Sequence, residues 1–357
     1  MTKDGLEGVI AAETSLSDVD GEGGRLIVKG RELRELVRDT DFAGTAALLW
    51  DGLRPAPAPR GLVAQELGRA RLEAYRLVPR LLGAVEGLTL VEGLRAGLAL
   101  MPDDADQAPE VRLTAAAPVF TAALHRRALG LAPVVPDPAL DHAADYLRMM
   151  RGARPTAAEA RAMDTYLVTI ADHGLNASTF AARVIASTQA GMVSAVVGAL
   201  CALKGPLHGG APGPVLDMLD DIGDAARVAP WMEAKIASGA RLMGFGHRVY
   251  KVRDPRADVL KAAVASLRAG DNRIAFAEIV EKSAVETLAR LKPGRRLDTN
   301  VEFYTALLLD ALGLPRDSFT PTFAIGRVAG WTAHVLEQER GGRIIRPASR
   351  YIGPLAA

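Results

Sequence analysis

Hydrophobic residues recur at helical spacing along most of this chain. The period starts near residues 31–37 and predicts further helices between proline-containing breaks at residues 55–59, 102–104 and 133–138. Alanine and leucine dominate, and aromatic residues make up only 5% of the chain, which favours helices over sheet. A short apolar run at residues 25–30 predicts a strand of a small hairpin. The pattern therefore predicts an all-α protein with a short N-terminal β-hairpin.

The pattern changes character between about residues 210 and 312. A long helical block over residues 155–203 ends at Gly205 and Pro206. The part that follows carries more charge and shorter helices, and an apolar helix returns at residues 324–337. This organisation predicts a large helical domain, residues 1–209 and 313–357, with a smaller helical domain, residues 210–312, inserted between its two parts.

One uncharged stretch, residues 184–203, is long enough to suggest a membrane span. Polar residues dilute it and no similar segment accompanies it, so we interpret it as a buried, tightly packed helix and expect no membrane partner. Small residues at positions 190, 194, 198 and 202 would share one face and let another helix approach closely, for example at a subunit interface. Cys201 in this apolar run is interpreted as a buried structural thiol.

Composition limits the function classes. The net charge of the 357 residues is +1, which gives no electrostatic reason to expect a nucleic-acid partner. A single cysteine excludes an intramolecular disulfide framework and fits a reducing compartment, and no apolar signal core follows the N-terminus, so we expect a cytoplasmic protein. The six histidines lack metal-site spacings, so no metal is expected. A GxSxG elbow of a serine hydrolase and a Walker loop are also absent.

Three short segments each carry a side chain that can transfer protons. His208 lies in GPLHGG at 205–210, His247 follows a Gly-Phe-Gly turn, and Glu302 lies in NVEFY at 300–304. Glycine lets backbone approach a ligand closely, and histidine titrates near neutral pH. Two histidines and a carboxylate could form an acid–base set. A capping or core histidine and a solvated basic loop are the alternatives for His208 and His247.

Other polar residues suit an anionic ligand. Cations cluster after His247, and Arg327 lies on an apolar helix where it must find a partner. That partner could be a structural carboxylate or the carboxylate of a substrate, which guanidinium binds in bidentate fashion. The segment with Asp172, His173 and Asn176 could form a hydrogen-bond network or a helix cap. Arg346 alone is interpreted as a surface residue.

Several long motifs in a fixed order resemble the citrate synthase family over nearly the whole chain. They are GLEGV at 5–9, SDVDG at 17–21, DHGLNAST at 172–179, GPLHGG, GFGHRVYKVRDPR at 244–256, NVEFY, and FAIGRVAGWTAHVLEQ at 323–338. The resemblance implies a two-domain citrate synthase fold and a short chain that forms a homodimer. It also implies an acyltransferase of the tricarboxylic acid cycle, which condenses acetyl-CoA with oxaloacetate and hydrolyses citryl-CoA to citrate and CoA.

The resemblance also implies a role for each site residue. His208 would hydrogen-bond the thioester carbonyl and stabilise the enol(ate), Glu302 would take the methyl proton, and His247 would polarise the ketone of oxaloacetate. Residues holding the carboxylates of oxaloacetate would be His173, His247, Arg256 and Arg327, with Arg346 reaching in from the second subunit. Residues contacting CoA would be Leu242, Met243, Gly244, Phe245, Gly246, Lys251 and Asn300. No cofactor is implied, since acetyl-CoA is a substrate.

The chain departs from the family pattern at the proposed base. Most members have aspartate at the position of Glu302, and the additional methylene lengthens the reach by about one C–C bond. Either the backbone is repositioned, or activity is low, or the acyl-CoA differs. The alternatives are therefore a 2-methylcitrate synthase that uses propionyl-CoA, an enzyme with dual specificity, and a weakly active paralogue that binds oxaloacetate or CoA.

Overall fold

The structure, a computed structural model, describes residues 4–6, 8–103, 108–210, 212–240, 242–267, 272–294 and 296–354. It confirms the prediction of a mainly helical protein. The helices are α1 (Leu33–Asp39), α2 (Phe42–Trp50), α3 (Arg60–Tyr75), α4 (Val78–Ala84), α5 (Leu90–Ala99), α6 (Pro109–Ala128), α7 (His142–Arg151), α8 (Ala157–Ile170), α9 (Ala177–Ala186), α10 (Met192–Leu203), α11 (Pro212–Ile222), α12 (Val228–Ala237), α13 (Pro255–Leu267), α14 (Asn272–Leu291), α15 (Val301–Ala311) and α16 (Phe319–Gly341).

A small antiparallel sheet lies near the N-terminus. Its strands are β1 (Ser17–Asp20), β2 (Arg25–Val28) and β3 (Arg31–Glu32), in the order β1-β2-β3. Ser17 pairs with Val28, and Val28 also pairs with Arg31. The predicted hairpin is thus extended by a third, two-residue strand. The buried side chains of Leu26 and Val28 attach the sheet to the helical core.

The core is built around α6 and α16. Both are buried along most of their length, and α16 contacts α2, α5, α6, α8, α9 and α10. Gly326 and Gly330 allow α16 to lie against the end of α8, because a Cβ on Gly330 would be 2.2 Å from the carbonyl oxygen of Ala171. This close approach brings Arg327, which lies between the two glycines, to the segment that follows α8.

The long helical block predicted over residues 155–203 is interrupted twice. Helix α8 ends at Ile170, and α9 begins after Asn176, whose side chain accepts a hydrogen bond from the Thr179 N–H as an N-cap. A second break precedes α10, where Gly191 has a φ of 88°. The single helix expected over residues 184–203 is therefore wrong: that stretch contains the end of α9, a turn and α10.

The interpretation of Cys201 as buried is also wrong for the single chain, because its side chain is exposed on α10. Ser194 is exposed on the same helix, and Gly198 and Ala202 are half-buried. In the described residues, no helix has the length and apolar character needed to cross a membrane.

The inserted part of the chain contains α11 to α15. Helix α13 packs against α15 within this part and against α8 from the preceding part. The residues before α15 pair with the turn at residues 244–246, since the Asn300 N–H donates to the Gly244 carbonyl at 2.9 Å and the Gly246 N–H donates to the Asp298 carbonyl at 2.8 Å. The turn and the start of α15 therefore form one unit. The domain boundaries at residues 210 and 312 stay a prediction.

Candidate active site

A cavity of about 810 Å³ collects residues from distant parts of the chain. The predicted site residues that line it are His173, His208, Leu242, Met243, Gly244, Phe245, Gly246, His247, Arg256, Asn300, Glu302 and Arg327. Two predicted residues do not line it. Lys251 is exposed and its backbone N–H donates to the Gly21 carbonyl at 2.8 Å, while Arg346 is exposed on the C-terminal tail.

His208 lies in the turn that follows α10. The turn is closed by a hydrogen bond from the His208 N–H to the Gly205 carbonyl, at 2.9 Å, and the ring Nε2 lies 2.9 Å from the Ser178 Oγ at the start of α9. Burial, with the nearby charges of Arg327 and Arg256, lowers the pKa of His208 to about 4. The imidazole is therefore neutral at physiological pH.

His247 is fixed by the backbone that follows it. Its Nδ1 accepts hydrogen bonds from the N–H groups of Val249 and Tyr250, each at 3.0 Å. Burial and the charge of Arg256 lower the pKa of His247 to about 4, so the ring is neutral. Since Nδ1 is an acceptor, the single ring proton must be on Nε2. His247 can therefore donate a hydrogen bond from Nε2, and the Arg256 Nη2 that lies 3.4 Å from this nitrogen cannot accept it, because guanidinium only donates.

Glu302 lies in the first turn of α15. The Asn300 side chain caps this helix by accepting from the Glu302 N–H at 3.0 Å, and its amide donates to the Gly246 carbonyl at 2.8 Å. The Glu302 Oε2 is buried and has no hydrogen-bond partner in the described residues. Burial raises the pKa of Glu302 to about 7, with Arg256 opposing the rise and Asp254 adding to it. Such a carboxyl group can exchange a proton near neutral pH.

Arg256 is held by Asp254, two residues earlier. The Arg256 Nε and Nη2 donate to the two carboxylate oxygens of Asp254 at 3.0 and 2.7 Å, and both side chains are buried. Asp254 Oδ2 also accepts from the Val301 N–H at 3.2 Å. One carboxylate thus joins the start of α13 to the start of α15, and so connects Arg256 to the helix that carries Glu302.

Arg327 has no such counter-charge. It forms no ion pair within the described part of the chain, and its Nε donates to the Ile170 carbonyl at 2.6 Å. Burial lowers the pKa of Arg327 to about 10, which still leaves the guanidinium charged at neutral pH. The buried Asp172 carboxylate favours the charged form of Arg327 but is itself paired with His334 at 3.1 Å. A buried charge without a partner of its own is costly unless a ligand pairs with it. Arg327 therefore favours an anionic ligand in the cavity.

His173 lies beside His247, with the ring centroids 5.6 Å apart. Its Nε2 is 3.2 Å from the Tyr250 hydroxyl, and burial followed by the charge of Arg256 lowers its pKa well below the usual range. Three neutral histidines and two charged arginines thus surround the cavity. That combination offers hydrogen bonds and net positive charge to a ligand with more than one carboxylate.

Sequence reasoning did not assign several residues that hold this site together. Ser178 contacts His208, Tyr250 contacts His173, and Asp254 holds Arg256. The N-terminal segment also contributes, because Gly5 and Leu6 line the cavity, and Arg248 donates to the Gly5 carbonyl at 3.2 Å. Of these, only Asp254 has a local signal in the sequence, an acidic residue directly before the Pro-Arg start of a helix.

Comparisons with known proteins identify the family of the chain. The family described as "Citrate synthase, C-terminal domain" matches residues 5–348. Citrate synthase of Haloferax volcanii is 38% identical over 366 residues, covering 98% of this chain and 96% of the relative. The chain belongs to the citrate synthase family. The resemblance stated from the motifs is therefore confirmed.

Two further relatives bear on the details. The 2-methylcitrate synthase of Mycobacterium tuberculosis is 34% identical and covers 98% of this chain and 90% of its own length. The solved citrate synthase of Thermoplasma acidophilum, a ternary complex with carboxymethyl coenzyme A and oxaloacetate, superposes with a TM-score of 0.89 at 27% identity, covering 100% of this chain and 97% of that one. The citrate synthase fold is confirmed, and the family places the chain among the transferases.

Among the residues that the structure describes, no group of three or more His, Cys, Asp or Glu side chains is arranged to hold a metal ion.

Proposed function

We propose that this protein condenses acetyl-CoA with oxaloacetate and hydrolyses the citryl-CoA formed, which gives citrate and CoA. One observation carries the proposal: a carboxyl group with a pKa near 7, two neutral histidines and an arginine that forms no ion pair within the described residues all line one cavity. Relatives named citrate synthase, among them a structure with oxaloacetate and a CoA derivative, support this assignment.

In the first step, ionised Glu302 takes a proton from the methyl group of the thioester. Negative charge then develops on the thioester oxygen, where His208 would donate a hydrogen bond. A thioester methyl is a very weak acid, so stabilisation of this oxygen is needed for the base to act. Because the Nε2 of His208 contacts Ser178, the ring nitrogen left to contact the thioester is Nδ1. For this role the proton must therefore be on Nδ1.

In the second step, the enol(ate) carbon attacks the ketone of oxaloacetate. His247 Nε2–H would donate to the ketone oxygen, and the two backbone hydrogen bonds to Nδ1 fix the ring in the orientation and tautomer for this. Arg327, Arg256 and His173 would bind the carboxylates. Arg256 keeps its bond to Asp254, so Arg327 supplies most of the net positive charge.

For CoA, we propose contacts with the turn at residues 242–246 and with Lys251 and Asn300. Leu242 to Gly246 line the cavity and present backbone groups there. Asn300 uses its amide to connect this turn to α15. If CoA contacts Asn300, its binding would therefore be coupled to the position of α15, the helix that bears Glu302.

We also propose a homodimer in which Arg346 enters the neighbouring cavity. Arg346 is exposed in the single chain and lies outside its own cavity. The exposed or half-buried side chains of α10, among them Cys201, form a small-residue surface that suits close approach of a second subunit. The sequence has a single cysteine and so can form no intramolecular disulfide, which is compatible with a cytoplasmic location.

The alternative acyl-CoA substrate is propionyl-CoA, because 2-methylcitrate synthases are also among the relatives. Purified protein should release CoA from acetyl-CoA plus oxaloacetate in a thiol-detection assay, with Glu302→Ala as the blank. We expect a higher kcat/KM with acetyl-CoA than with propionyl-CoA. A higher kcat/KM with propionyl-CoA would assign a 2-methylcitrate synthase. If neither thioester releases CoA, only the paralogue that binds oxaloacetate or CoA would remain.

A further inference from the structure

The buried hydroxyl of Ser178 makes three side-chain contacts. Its Oγ lies 2.9 Å from His208 Nε2, 2.8 Å from Asn176 Oδ1 and 3.1 Å from Trp331 Nε1. A serine hydroxyl has one proton to donate and two lone pairs with which to accept. All three positions are therefore occupied, and the direction of each hydrogen bond can be assigned.

The Asn176 side chain has a fixed orientation. Its Oδ1 accepts from the Thr179 N–H at 3.1 Å, and its Nδ2 donates to the Gly174 carbonyl at 3.2 Å. A flipped amide would place donor against donor and acceptor against acceptor. Asn176 Oδ1 therefore faces Ser178 as an acceptor, and it must take the only proton of the Ser178 hydroxyl.

The remaining two contacts of Ser178 are then bonds that it accepts. The indole N–H of Trp331 can only donate. His208 must consequently donate from Nε2. A pKa of about 4 keeps the ring neutral, so it has a single proton, and Nδ1 is left bare. No hydrogen bond involves this Nδ1 in the described residues, and a bare nitrogen cannot donate to a thioester oxygen.

We propose that Asn176 is a positioning residue that acts through Ser178 and keeps the proton of His208 on Nε2 in the ligand-free protein. The donor form, with the proton on Nδ1, requires the Ser178 hydroxyl to turn from Asn176 to Nε2. The exchange conserves charge, because water supplies one proton to Nδ1 and receives one from Nε2. Trp331 keeps its hydrogen bond in both forms and holds the Ser178 oxygen in place.

The functional consequence rests on the proposed function, since it concerns the hydrogen bond from His208 to the thioester. The free protein holds this histidine in the form that cannot donate, so substrate binding has to reverse the hydrogen bond between Asn176 and Ser178. The test below requires no turnover. A protein that releases no CoA would contradict the proposed function and leave the tautomer assignment intact.

The experiment is ¹⁵N NMR of protein labelled at histidine, at neutral pH and without ligand. His208 is assigned from the signals that disappear in His208→Gln. We expect the shift typical of a protonated ring nitrogen at Nε2 and that of a bare nitrogen at Nδ1. A proton found on Nδ1 in the wild-type protein would overturn the proposal, and His208→Gln is needed only to assign the signals.

Two substitutions separate the role of Asn176 in the hydrogen-bond direction from its role as the N-cap of α9. Both Ser and Asp cap helices well. Asn176→Asp keeps an acceptor for Ser178, so the two ¹⁵N shifts of His208 should not change. Asn176→Ser is too short to accept that proton, so Ser178 must donate to Nε2 and the two shifts should interchange. Unchanged shifts in Asn176→Ser, or interchanged shifts in Asn176→Asp, would show that Asn176 does not control the tautomer.

Discussion

The two sides of the cavity hold their histidines in opposite ways. On one side, His247 accepts two backbone hydrogen bonds at Nδ1 and therefore presents a donor. On the other side, His208 donates its only proton to Ser178 and presents a bare nitrogen. The side of His247 is ready for a ketone oxygen before any ligand arrives. The side of His208 needs a change in hydrogen bonding first.

The charged groups repeat this difference. Beside His247, Arg256 donates from Nε and Nη2 to the two carboxylate oxygens of Asp254. The Glu302 Oε2, in contrast, is buried and has no hydrogen-bond partner in the described part of the chain. A satisfied polar group is stable and rigid, whereas an unsatisfied one stores free energy that a ligand can release. The chain thus builds a rigid site for a dicarboxylate next to a less satisfied site where proton transfer would occur.

The largest effect is expected at the unsatisfied side. Glu302→Gln keeps the size of the side chain and removes its ability to take a proton, so kcat should fall about 10³-fold, within the range of general-base contributions. Oxaloacetate affinity, measured by calorimetry, should change little because the arginines remain. Glu110→Gln is the matched control, since burial also raises the pKa of Glu110 and it lies outside the cavity. Equal losses in both variants would remove Glu302 from the base role.

Glu302→Asp tests whether the cavity is built for the longer side chain. We expect kcat to fall about 10²-fold, because a displacement of about 1 Å has that cost when geometry is tight. The ratio of acetyl-CoA to propionyl-CoA turnover should be measured in the same preparation. A faster Asp variant would show that the glutamate of this chain is poorly placed for acetyl-CoA.

The helices show where a sequence pattern predicts structure and where it does not. The helical pattern predicted the fold class, because buried faces repeat at short range. The pattern predicted one helical block across the breaks before α9 and α10, although a helix cap at the segment with Asn176 was one of the alternatives, and Asn176 is the N-cap of α9. Cys201 was assigned wrongly because an apolar run does not reveal whether its own chain covers it.

The site shows the same limit. Most of the site residues predicted from motifs line the cavity, including His208, His247 and Glu302. Their supports come from far along the chain: Ser178 lies 30 residues from His208, and Asp254 lies 47 residues from Val301. Such contacts depend on how helices pack, so a single sequence has no local pattern for them.

Arg327 forms no ion pair within the described residues, and its substitution should change ligand binding and not proton transfer. Arg327→Lys keeps the charge but loses the planar fork, so KM for oxaloacetate should rise about 10- to 100-fold with a smaller change in kcat. Arg71→Lys is the matched control, because Arg71 is equally buried but pairs with Asp145 at 2.8 Å, away from the cavity. If KM rises equally in both variants, a general loss of packing explains the effect.

The smallest effect is a pH dependence that only the unsatisfied side should show. Burial raises the pKa of Glu302 to about 7, so kcat/KM for the acyl-CoA should fall about tenfold per pH unit below 7 as the base becomes protonated. The sign for stability is the reverse: the protonated carboxyl stabilises the folded protein fully below the ordinary value of 4.5, and this contribution is lost as pH rises through 7. Urea unfolding of Glu302→Gln should lack that slope. If kcat/KM does not change between pH 5.5 and 8, no group with this pKa limits catalysis. Neither side of the cavity would then give the reaction a pH dependence in this range.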